Sequence, residues 1–265
     1  MRKSRLESSP MVPVADDWFH NAFGEDYLWI YAHRSDEEAE FQVGTIIDFI
    51  PFQPRQKILD VACGSGRHML AFARRGGVMT GVDLSQPLLK IAREKFRAKN
   101  YKVTLKKADM RRLNYRAKFD GATLWFTSFG YFASSAEDQK ALINVCLAIK
   151  PGGWWLIDLP NPLWLAENLV PESERVAEGP NGRAKIIEKR RLINDTVEKN
   201  IIIMDSMGRK EYAERVRLYR PEQFAAMVSR VDFTIDGVLG EYDGRPLSRE
   251  SRRQIWFGRR KMSSR

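Results

Sequence analysis

The stretch KILDVACGSGRH, residues 57–68, changes character twice within a few residues. It opens with an apolar run that suits one buried strand of a parallel sheet. Gly64 and Gly66 then break the pattern, and apolar residues return at helical spacing from Met69 onward. A strand, a glycine turn and a helix place backbone N–H groups and a helix N-terminus beside a ligand. A dinucleotide-binding fingerprint needs a third glycine where this chain has Met69, so the pattern disfavours a nicotinamide cofactor.

Two acidic residues follow at the ends of the next two predicted strands. Asp83 closes the strand at 78–83, where a carboxylate can accept hydrogen bonds from two ribose hydroxyls. Asp83 could instead cap the following helix, a role that is also open to Ser85. Asp109 follows the third strand and could accept a hydrogen bond from an adenine amine, with the Met110 N–H donating to a ring nitrogen. A simple turn or cap explains Asp109 equally well.

Five motifs occur in order along residues 55–159: DVACGSG, GVDLS, ADMRRL, FDGATLWFTSFGYF and LAIKPGGWWLIDLP. Together they resemble the class I S-adenosylmethionine-dependent methyltransferases. The resemblance implies S-adenosyl-L-methionine as the cofactor. It also implies an α/β fold, a Rossmann-like three-layer sandwich with a seven-stranded sheet whose last strand is antiparallel.

The resemblance further implies a set of cofactor contacts. Asp60 and the turn Cys63–Gly66 would hold the methionine end, and Asp83 would bind the ribose. Leu84, Asp109 and Met110 would surround the adenine. The complete set of expected cofactor-binding residues is Tyr31, Arg34, Asp60, Ala62, Cys63, Gly64, Gly66, Asp83, Leu84, Asp109, Met110 and Phe126.

The chain divides into four predicted parts. Residues 1–16 suggest a flexible tail, and residues 17–52 a helical lid with Phe41 among its apolar positions. Residues 53–160 and 221–262 form the cofactor-binding domain. Residues 161–220 form a small antiparallel β insert of three strands over the substrate side, which could also make a homodimer contact.

Within the main domain the pattern predicts a fourth strand at 120–126 and a helix at 136–149 capped by Ser135. It predicts a turn at 151–153 and a fifth strand at 154–158.

An aromatic patch, YLWIY at residues 27–31, lies in the predicted lid. In relatives that act on small molecules, such an N-terminal segment covers the cofactor, and a tyrosine hydroxyl meets the methionine carboxylate. Tyr27 or Tyr31 could do this here, with Arg34 as the countercharge. Aromatic packing against the sheet is the alternative explanation.

The composition of the chain indicates where the protein is located and whether it binds a metal. No apolar run approaches the roughly 20 residues that span a bilayer, and the N-terminus lacks the apolar region of a secretory signal. Two cysteines outside any disulfide pattern fit the cytoplasm. The three histidines have no metal-ligand spacing, so we expect no metal.

Much of the formal net charge of +10 lies in the C-terminal segment. From Gly244 to the end there are eight Lys and Arg against one acid, Glu250. A solvated edge strand is one explanation for this segment. Attraction of an anionic substrate or a nucleic acid is the other.

Methyl transfer from a sulfonium is an in-line displacement whose leaving group needs no protonation, so alignment and shielding can suffice. The sequence therefore assigns no catalytic residue. Tyr131, Asn161 and Arg217 are pocket candidates, and His33 is a candidate base if the lid closes over the site. His68, in the first turn of a helix, fits a packing role.

The function predicted on this basis is methyl transfer to an oxygen or a nitrogen of a small molecule. By the same resemblance, enzymes that methylate base amines carry Asn/Asp-Pro-Pro-aromatic after the fourth strand, where this chain has FTSFGY at 126–131. Neither cysteine follows a proline, as a cytosine C5 enzyme would need. One alternative is an RNA methyltransferase or nucleic-acid binder that uses the basic C-terminus. The other is a non-catalytic partner protein that retains the fold.

Overall fold

Two β-sheets organise the residues that the computed structural model describes, 11–32 and 34–262. The strands in chain order are β1 (Lys57–Val61), β2 (Val78–Asp83), β3 (Thr104–Lys107), β4 (Phe119–Leu124), β5 (Ile149–Pro160), β6 (Glu172–Gly179), β7 (Gly182–Ile193), β8 (Thr196–Asp205), β9 (Gly208–Arg217), β10 (Phe233–Leu239) and β11 (Arg253–Arg260). The helices are α1 (Phe19–Ala22), α2 (Asp26–Ile30), α3 (Asp36–Ile46), α4 (Arg67–Arg74), α5 (Gln86–Ala98), α6 (Ser135–Ala148), α7 (Pro162–Asn168) and α8 (Pro221–Ser229), with a 3₁₀ turn at Met110–Arg112.

The large sheet has seven strands in the order β10-β11-β5-β4-β1-β2-β3. Its strands are parallel except β11, which runs antiparallel to both β5 and β10. This confirms the predicted Rossmann-like sheet and its antiparallel last strand. The strand order reverses at β1, which has β2 on one side and β4 on the other. In open α/β sheets the crevice at the carboxyl ends beside such a reversal is where ligands bind.

Alternating side chains of the strands build a buried core on each face of this sheet. Ile58 and Trp154 lie on one face with the buried side chains of α3, α4 and α5. Their neighbours Leu59 and Trp155 lie on the other face with those of α6 and α8. Because successive strand residues point to opposite faces, continuous apolar runs are what a sheet covered on both sides requires. The result is the predicted three-layer sandwich.

Two predicted boundaries are wrong by one or two residues for local reasons. Helix α6 begins at Ser135, and its cap is Ser134, whose Oγ accepts the Glu137 N–H at 3.3 Å. Strand β4 ends at Leu124 rather than at residue 126. The chain leaves the sheet there because Phe126 and Thr127 adopt left-handed backbone angles, with φ of 54° and 69°.

The turn predicted at residues 151–153 is also wrong. Strand β5 runs without a break from Ile149 to Pro160. Its pairing with β4 shifts register, since Phe119 faces Ile149 whereas Gly121 faces Trp154. The Pro-Gly-Gly sequence therefore forms an irregularity within the strand and does not end it.

The insert is a separate antiparallel sheet of four strands in the order β6-β7-β8-β9, not the three that were predicted. Its last two connections are two-residue turns at 194–195 and 206–207. Strand β6 was missed because ESERVAEG contains no apolar run, and its one large apolar residue, Val176, is exposed. It pairs only with β7 and forms an edge of the sheet.

The N-terminal region forms three short helices, in agreement with its predicted helical character. Ile30 packs with Ala184 and Ile201 of the insert in a small apolar core. Phe41, predicted as a core position, is 61% exposed. Residues 11–16 of the predicted tail contact the insert, since the Val12 carbonyl accepts a hydrogen bond from Asn200 Nδ2 at 3.3 Å.

Among the described residues no helix has the length and apolarity needed to cross a membrane, and no cluster of side chains is arranged to bind a metal.

Candidate functional site

A cavity of about 390 Å³ lies at the carboxyl edge of the large sheet, beside the reversal point at β1. Three parts of the chain enclose it. The loops after β1, β2 and β4 form one wall, the N-terminal helices form a second, and the inner face of the insert forms the third. The position agrees with the edge at which the sequence placed the site.

The glycine turn lies along the first wall. Ala62, Cys63 and Gly64 line the cavity, whereas Gly66 does not. Gly64 has a φ of +53°, and a Cβ added there would lie 3.8 Å from the nearest atom, Leu88 Cδ1. At Gly66, with a φ of +76°, an added Cβ would lie 2.8 Å from the Phe96 ring. Gly66 is therefore required for packing against α5, and Gly64 for the shape of the turn at the cavity.

Asp83 lies at the end of β2 and lines the cavity with 9% of its surface exposed. Its carboxylate accepts two backbone N–H groups, from Gly64 and from Ser85, both at 2.8 Å. Burial raises the pKa of Asp83, and these hydrogen bonds oppose that rise. Helix α5 is capped by Ser85, whose Oγ accepts the Leu88 N–H at 3.2 Å. The capping role is thus filled by Ser85, and the Asp83 side chain is left at the cavity wall.

Asp60 lies below the turn and does not line the cavity. It is 2% exposed and accepts a hydrogen bond from the Thr123 hydroxyl at 2.9 Å. Burial raises the pKa of Asp60 to about 7. Its carboxyl group connects β1 to the neighbouring strand β4.

The next part of the wall contains Leu84 and Met110, as predicted, but not Asp109. The Asp109 carboxylate accepts the Arg111 backbone N–H at 2.8 Å and a guanidinium hydrogen bond at 2.6 Å. Burial alone would raise the pKa of Asp109, but the hydrogen bonds from Arg111 outweigh it and the pKa lies below its usual value. The alternative explanation of Asp109, a cap, is the one observed, because Asp109 caps the turn Met110–Arg112.

The second wall brings Tyr27, Tyr31 and Arg34 together. Arg34 Nη1 donates to the Tyr27 hydroxyl at 2.7 Å. The guanidinium lies 4.1 Å from the centre of the Tyr31 ring and 4.6 Å from that of Phe126. Its Nε is buried without a hydrogen-bond partner among the described residues. A buried donor of this kind is costly unless a ligand satisfies it, and a carboxylate would do so.

The two candidate tyrosines differ in their hydroxyl contacts. The Tyr27 hydroxyl is bound to Arg34, and burial raises its pKa. The Tyr31 hydroxyl accepts from Lys199 Nζ at 2.6 Å and donates to Glu214 Oε1 at 3.2 Å. Tyr31 therefore connects the N-terminal helices to the insert, and Tyr27 is the tyrosine whose hydroxyl is held beside the guanidinium.

The insert was predicted to lie over the substrate side, but the charged residues that it contributes to the third wall were not predicted. Arg190, Lys199 and Glu214 line the cavity from the insert. Behind them, Glu188 is in contact with Arg190 and lies 2.9 Å from Lys199 Nζ. Burial would raise the pKa of Glu188, but the charge of Lys199 outweighs it and lowers the pKa.

A signal for this wall was present in the sequence. Glu188 and Arg190 fall in the same two-residue phase as the buried Ala184 and Ile186 of β7. Charged residues on the buried face of a strand need partners, and they indicate either an internal ion-pair network or a binding site.

Of the three residues proposed as pocket candidates, one lines the cavity and two do not. Tyr131 is at the cavity. Asn161 is buried, caps α7, and donates to the Ser251 carbonyl at 2.8 Å. Arg217 lies outside the cavity lining and binds Asp138 at 3.1 Å. Asn161 and Arg217 therefore do not line this cavity, and the contacts they make are structural.

The histidine candidates are His33, which lies outside the described residues, and His68. His68 lines the cavity and stacks on Trp125 with ring centres 4.3 Å apart. Its Nε2 lies 2.7 Å from Gln42 Oε1. Burial holds the pKa of His68 well below its usual value, so the ring is neutral. This agrees with the packing role predicted for it.

Many cations of the basic C-terminal segment are engaged within the fold. Arg253 Nε binds Asp158 at 2.7 Å inside the cavity wall, and Arg260 donates to the Ile149 carbonyl at 2.5 Å. The surface pairs are Arg245 with Asp243, Arg249 with Glu167, and Arg259 with Asp236. Nucleic-acid binding by this segment stays a prediction, which salt-dependent retention on immobilised RNA would test.

The strand order, the glycine turn and the position of the cavity define a class of enzyme. Residues 58–153 match the family described as methyltransferase domain. Residues 58–153 form a methyltransferase domain, and its matches to methyltransferases support an enzyme whose cofactor is S-adenosyl-L-methionine. The sequence prediction of class, fold and cofactor is confirmed.

Among individual proteins, the chain is 27% identical over 197 residues to dTDP-3-amino-3,6-dideoxy-alpha-D-glucopyranose N,N-dimethyltransferase of Streptomyces fradiae, covering 72% of this chain and 74% of that one. It is 25% identical over 243 residues to dTDP-3-amino-3,4,6-trideoxy-alpha-D-glucopyranose N,N-dimethyltransferase of Streptomyces venezuelae, covering 87% and 93%. A similar solved structure is that of S-adenosylmethionine-bound CalS10, an amino pentose methyltransferase from Micromonospora echinaspora. It has a TM-score of 0.62 and 20% identity, over 89% of this chain and 96% of that one.

Proposed function

We propose that this enzyme methylates a nitrogen atom of a small-molecule amine, which it binds between the glycine turn and the inner face of the insert. The observation that carries the proposal is one continuous cavity that reaches from Gly64 and Asp83 to the insert residues Lys199 and Glu214. A cofactor and an acceptor need to share one enclosed space for direct transfer between them.

The cofactor half of the proposal assigns each end of S-adenosyl-L-methionine to a wall. The turn at Ala62–Gly64 holds the methionine end, and the guanidinium of Arg34 with the Tyr27 hydroxyl binds its carboxylate. Asp83 accepts the ribose hydroxyls, and Leu84 and Met110 contact the adenine. The fit is supported by the unsatisfied Nε of Arg34, a donor that a carboxylate would complete.

The acceptor half follows from the insert and from the relatives. The insert contributes apolar side chains, Val197, Val216 and Leu218, together with a few charged groups. Apolar walls with a few placed polar groups are typical of small-molecule sites. Two of the relatives, matched over 72% and 87% of this chain, are named as N,N-dimethyltransferases of amino sugars. A nitrogen acceptor on a small molecule agrees with both observations.

The chemistry needs little from the protein. When bound, S-adenosyl-L-methionine supplies a methyl group on a positively charged sulfur, and the acceptor's lone pair forms the new bond to carbon as the carbon–sulfur pair returns to sulfur. The residues of this chain align the acceptor with that methyl group and exclude water. The aromatic side chains Trp18, Phe23 and Tyr131 pack against one another at the cavity and serve the second purpose.

The test begins with calorimetric titration of the purified protein with S-adenosylmethionine, S-adenosylhomocysteine and NADH. We expect binding of the two sulfur ligands and none of NADH. Incubation with S-adenosylmethionine and dTDP-3-amino-3,6-dideoxy-D-glucose, followed by mass spectrometry, should then show the gain of one or two methyl groups. Absence of binding by both sulfur ligands would refute the proposal. Methylation of hydroxyl acceptors but of no amine in a matched panel would refute the choice of nitrogen.

A further inference from the structure

We propose that Glu214 is the residue that binds the acceptor nitrogen, which makes the site selective for amines over alcohols. This inference rests on the proposed function and assigns the acceptor side of the same cavity. Nothing in the sequence singled out this residue, which lies in the middle of β9 in the insert.

The charged groups around the cavity leave few places for an amine. Among the described residues that line it, the carboxylates are Asp83 and Glu214, against the cations Arg34, Arg67, Arg190, Lys199 and Arg253. Asp83 accepts a backbone N–H at each oxygen, and in the proposed function its remaining lone pairs bind the ribose hydroxyls of the cofactor. A neutral amine acceptor, which keeps the lone pair it needs for methylation, can therefore donate its N–H to the other lining carboxylate, Glu214.

The neighbours of Glu214 leave its carboxylate available. Its oxygens receive the Tyr31 hydroxyl at 3.2 Å and 3.5 Å. The nearest cation, Lys199, is 4.0 Å away, and that amine makes its shorter contacts with Glu188 at 2.9 Å and with the Tyr31 hydroxyl at 2.6 Å. Arg190 also pairs with Glu188 rather than with Glu214. The carboxylate is held in place by Tyr31 while retaining lone pairs that can accept an N–H.

Its surroundings strengthen such a contact. The Glu214 side chain is only 16% exposed, and a charge-assisted hydrogen bond is stronger in a partly buried site than in water. A nitrogen that forms a bond to the methyl carbon gains positive charge and keeps its N–H groups. A fixed carboxylate at that nitrogen stabilises the developing charge. A hydroxyl acceptor would instead have to lose its proton, so Glu214 distinguishes the two kinds of acceptor.

The test needs no knowledge of the natural acceptor. Sinefungin is an analogue of S-adenosylmethionine in which a carbon bearing an ammonium group replaces the methylated sulfur. That ammonium occupies the region where methyl and acceptor nitrogen meet, whereas S-adenosylhomocysteine has no group there. Affinities of both ligands are measured by calorimetry for the native protein, Glu214→Gln, Glu214→Asp and a control, Glu211→Gln. Glu211 lies on the same strand but faces the opposite side and pairs with Arg209 at 3.0 Å.

We expect Glu214→Gln to weaken sinefungin binding about 10-fold, as the loss of a charge-assisted contact does, and to change S-adenosylhomocysteine binding less than about 2-fold. Glu214→Asp should fall between Glu214→Gln and the native protein, and Glu211→Gln should match the native protein for both ligands. Equal affinities of native and Glu214→Gln for sinefungin would overturn the inference, as would an equal loss for both ligands. Failure of the native protein to bind either ligand would instead overturn the proposed function, and the inference with it.

Discussion

The Asp83 carboxylate joins two backbone segments that flank the cavity, because one oxygen accepts the Gly64 N–H and the other accepts the Ser85 N–H, each at 2.8 Å. The first group belongs to the turn after β1, and the second lies at the cap of α5. Asp83 thus fixes the turn against the neighbouring strand. It shapes the site before any ligand binds, in addition to the ribose contact proposed for it.

Replacement of Asp83 by Asn should weaken the affinity for S-adenosylhomocysteine by about 10-fold or more, because an amide can accept only one of the two N–H groups and loses the charge. We expect the thermal midpoint to fall moderately, since one buried N–H is left unsatisfied. Calorimetric titration and thermal unfolding measure the two effects. The matched control is Asp109→Asn, whose carboxylate is occupied by Arg111 outside the cavity. An equal loss of affinity in Asp109→Asn would show that Asp109 does contact the cofactor.

The two glycines of the turn should respond differently to alanine. In Gly64→Ala the added Cβ has space, so the cost is the left-handed backbone alone, about 1 kcal/mol of unfolding free energy. In Gly66→Ala the Cβ also meets the Phe96 ring at 2.8 Å, and the cost should reach about 3 kcal/mol. Urea unfolding of both variants measures this. Equal destabilisation would contradict the packing role of Gly66.

Asp60 should make stability fall as the pH rises. Its pKa of about 7 in the fold lies above the ordinary aspartate value of 3.8, so between these two values the folded state binds a proton that the unfolded chain has lost. The free energy of unfolding therefore decreases from about pH 4 to about pH 7, by at most about 4 kcal/mol from this group. Asp60→Asn, which keeps an acceptor for Thr123, should be less stable relative to the native protein at pH 5 than at pH 8. Urea unfolding at the two pH values measures the difference, and parallel curves would contradict the raised pKa.

Residues 57–160 were predictable because their patterns arise from the physics of the main sheet. A strand that is buried on both faces has a continuous run of apolar residues in the sequence. The turns between strands and helices require glycine or a capping serine at fixed positions. The position of Asp83 follows in the same way, since the topology brings the carboxyl ends of β1 and β2 to one edge.

The insert wall could not be predicted in the same way. Strand β6 has no apolar periodicity because none of its residues is buried, and Glu214 has an ordinary position in a charged strand. What gives Glu214 its role is the distance to Tyr31, a residue 183 positions away in the chain. Asp109 shows the converse case. Asp109 occupies the expected position in its motif, but the neighbouring Arg111 binds its carboxylate. The spacing of residues in a sequence cannot show which side chain will bind that carboxylate.

The left-handed turn after β4 depends on a second aspartate, Asp158. Its carboxylate accepts the Phe126 N–H at 2.8 Å, and its own carbonyl accepts the Thr127 N–H at 3.1 Å. Arg253 and Tyr242 hold that carboxylate from the other side, at 2.7 Å and 2.5 Å. Non-glycine residues rarely adopt such angles, and two in succession need external support.

Tyr242→Phe should loosen this turn without unfolding the protein. Burial raises the pKa of Tyr242 well above its usual value, so its hydroxyl stays a donor at all working pH values. Its loss leaves the Asp158 carboxylate with Arg253 and the Phe126 N–H as donors. The cost of one hydrogen bond to a charged group should speed amide hydrogen exchange at Phe126 and Thr127 about 10-fold. Exchange followed by NMR or mass spectrometry measures this, with Tyr115→Phe, which lies outside the cavity, as control. Unchanged exchange at these two amides, in a folded Tyr242→Phe protein, would mean that Arg253 and the strand pairing of β5 hold the turn without help from the tyrosine.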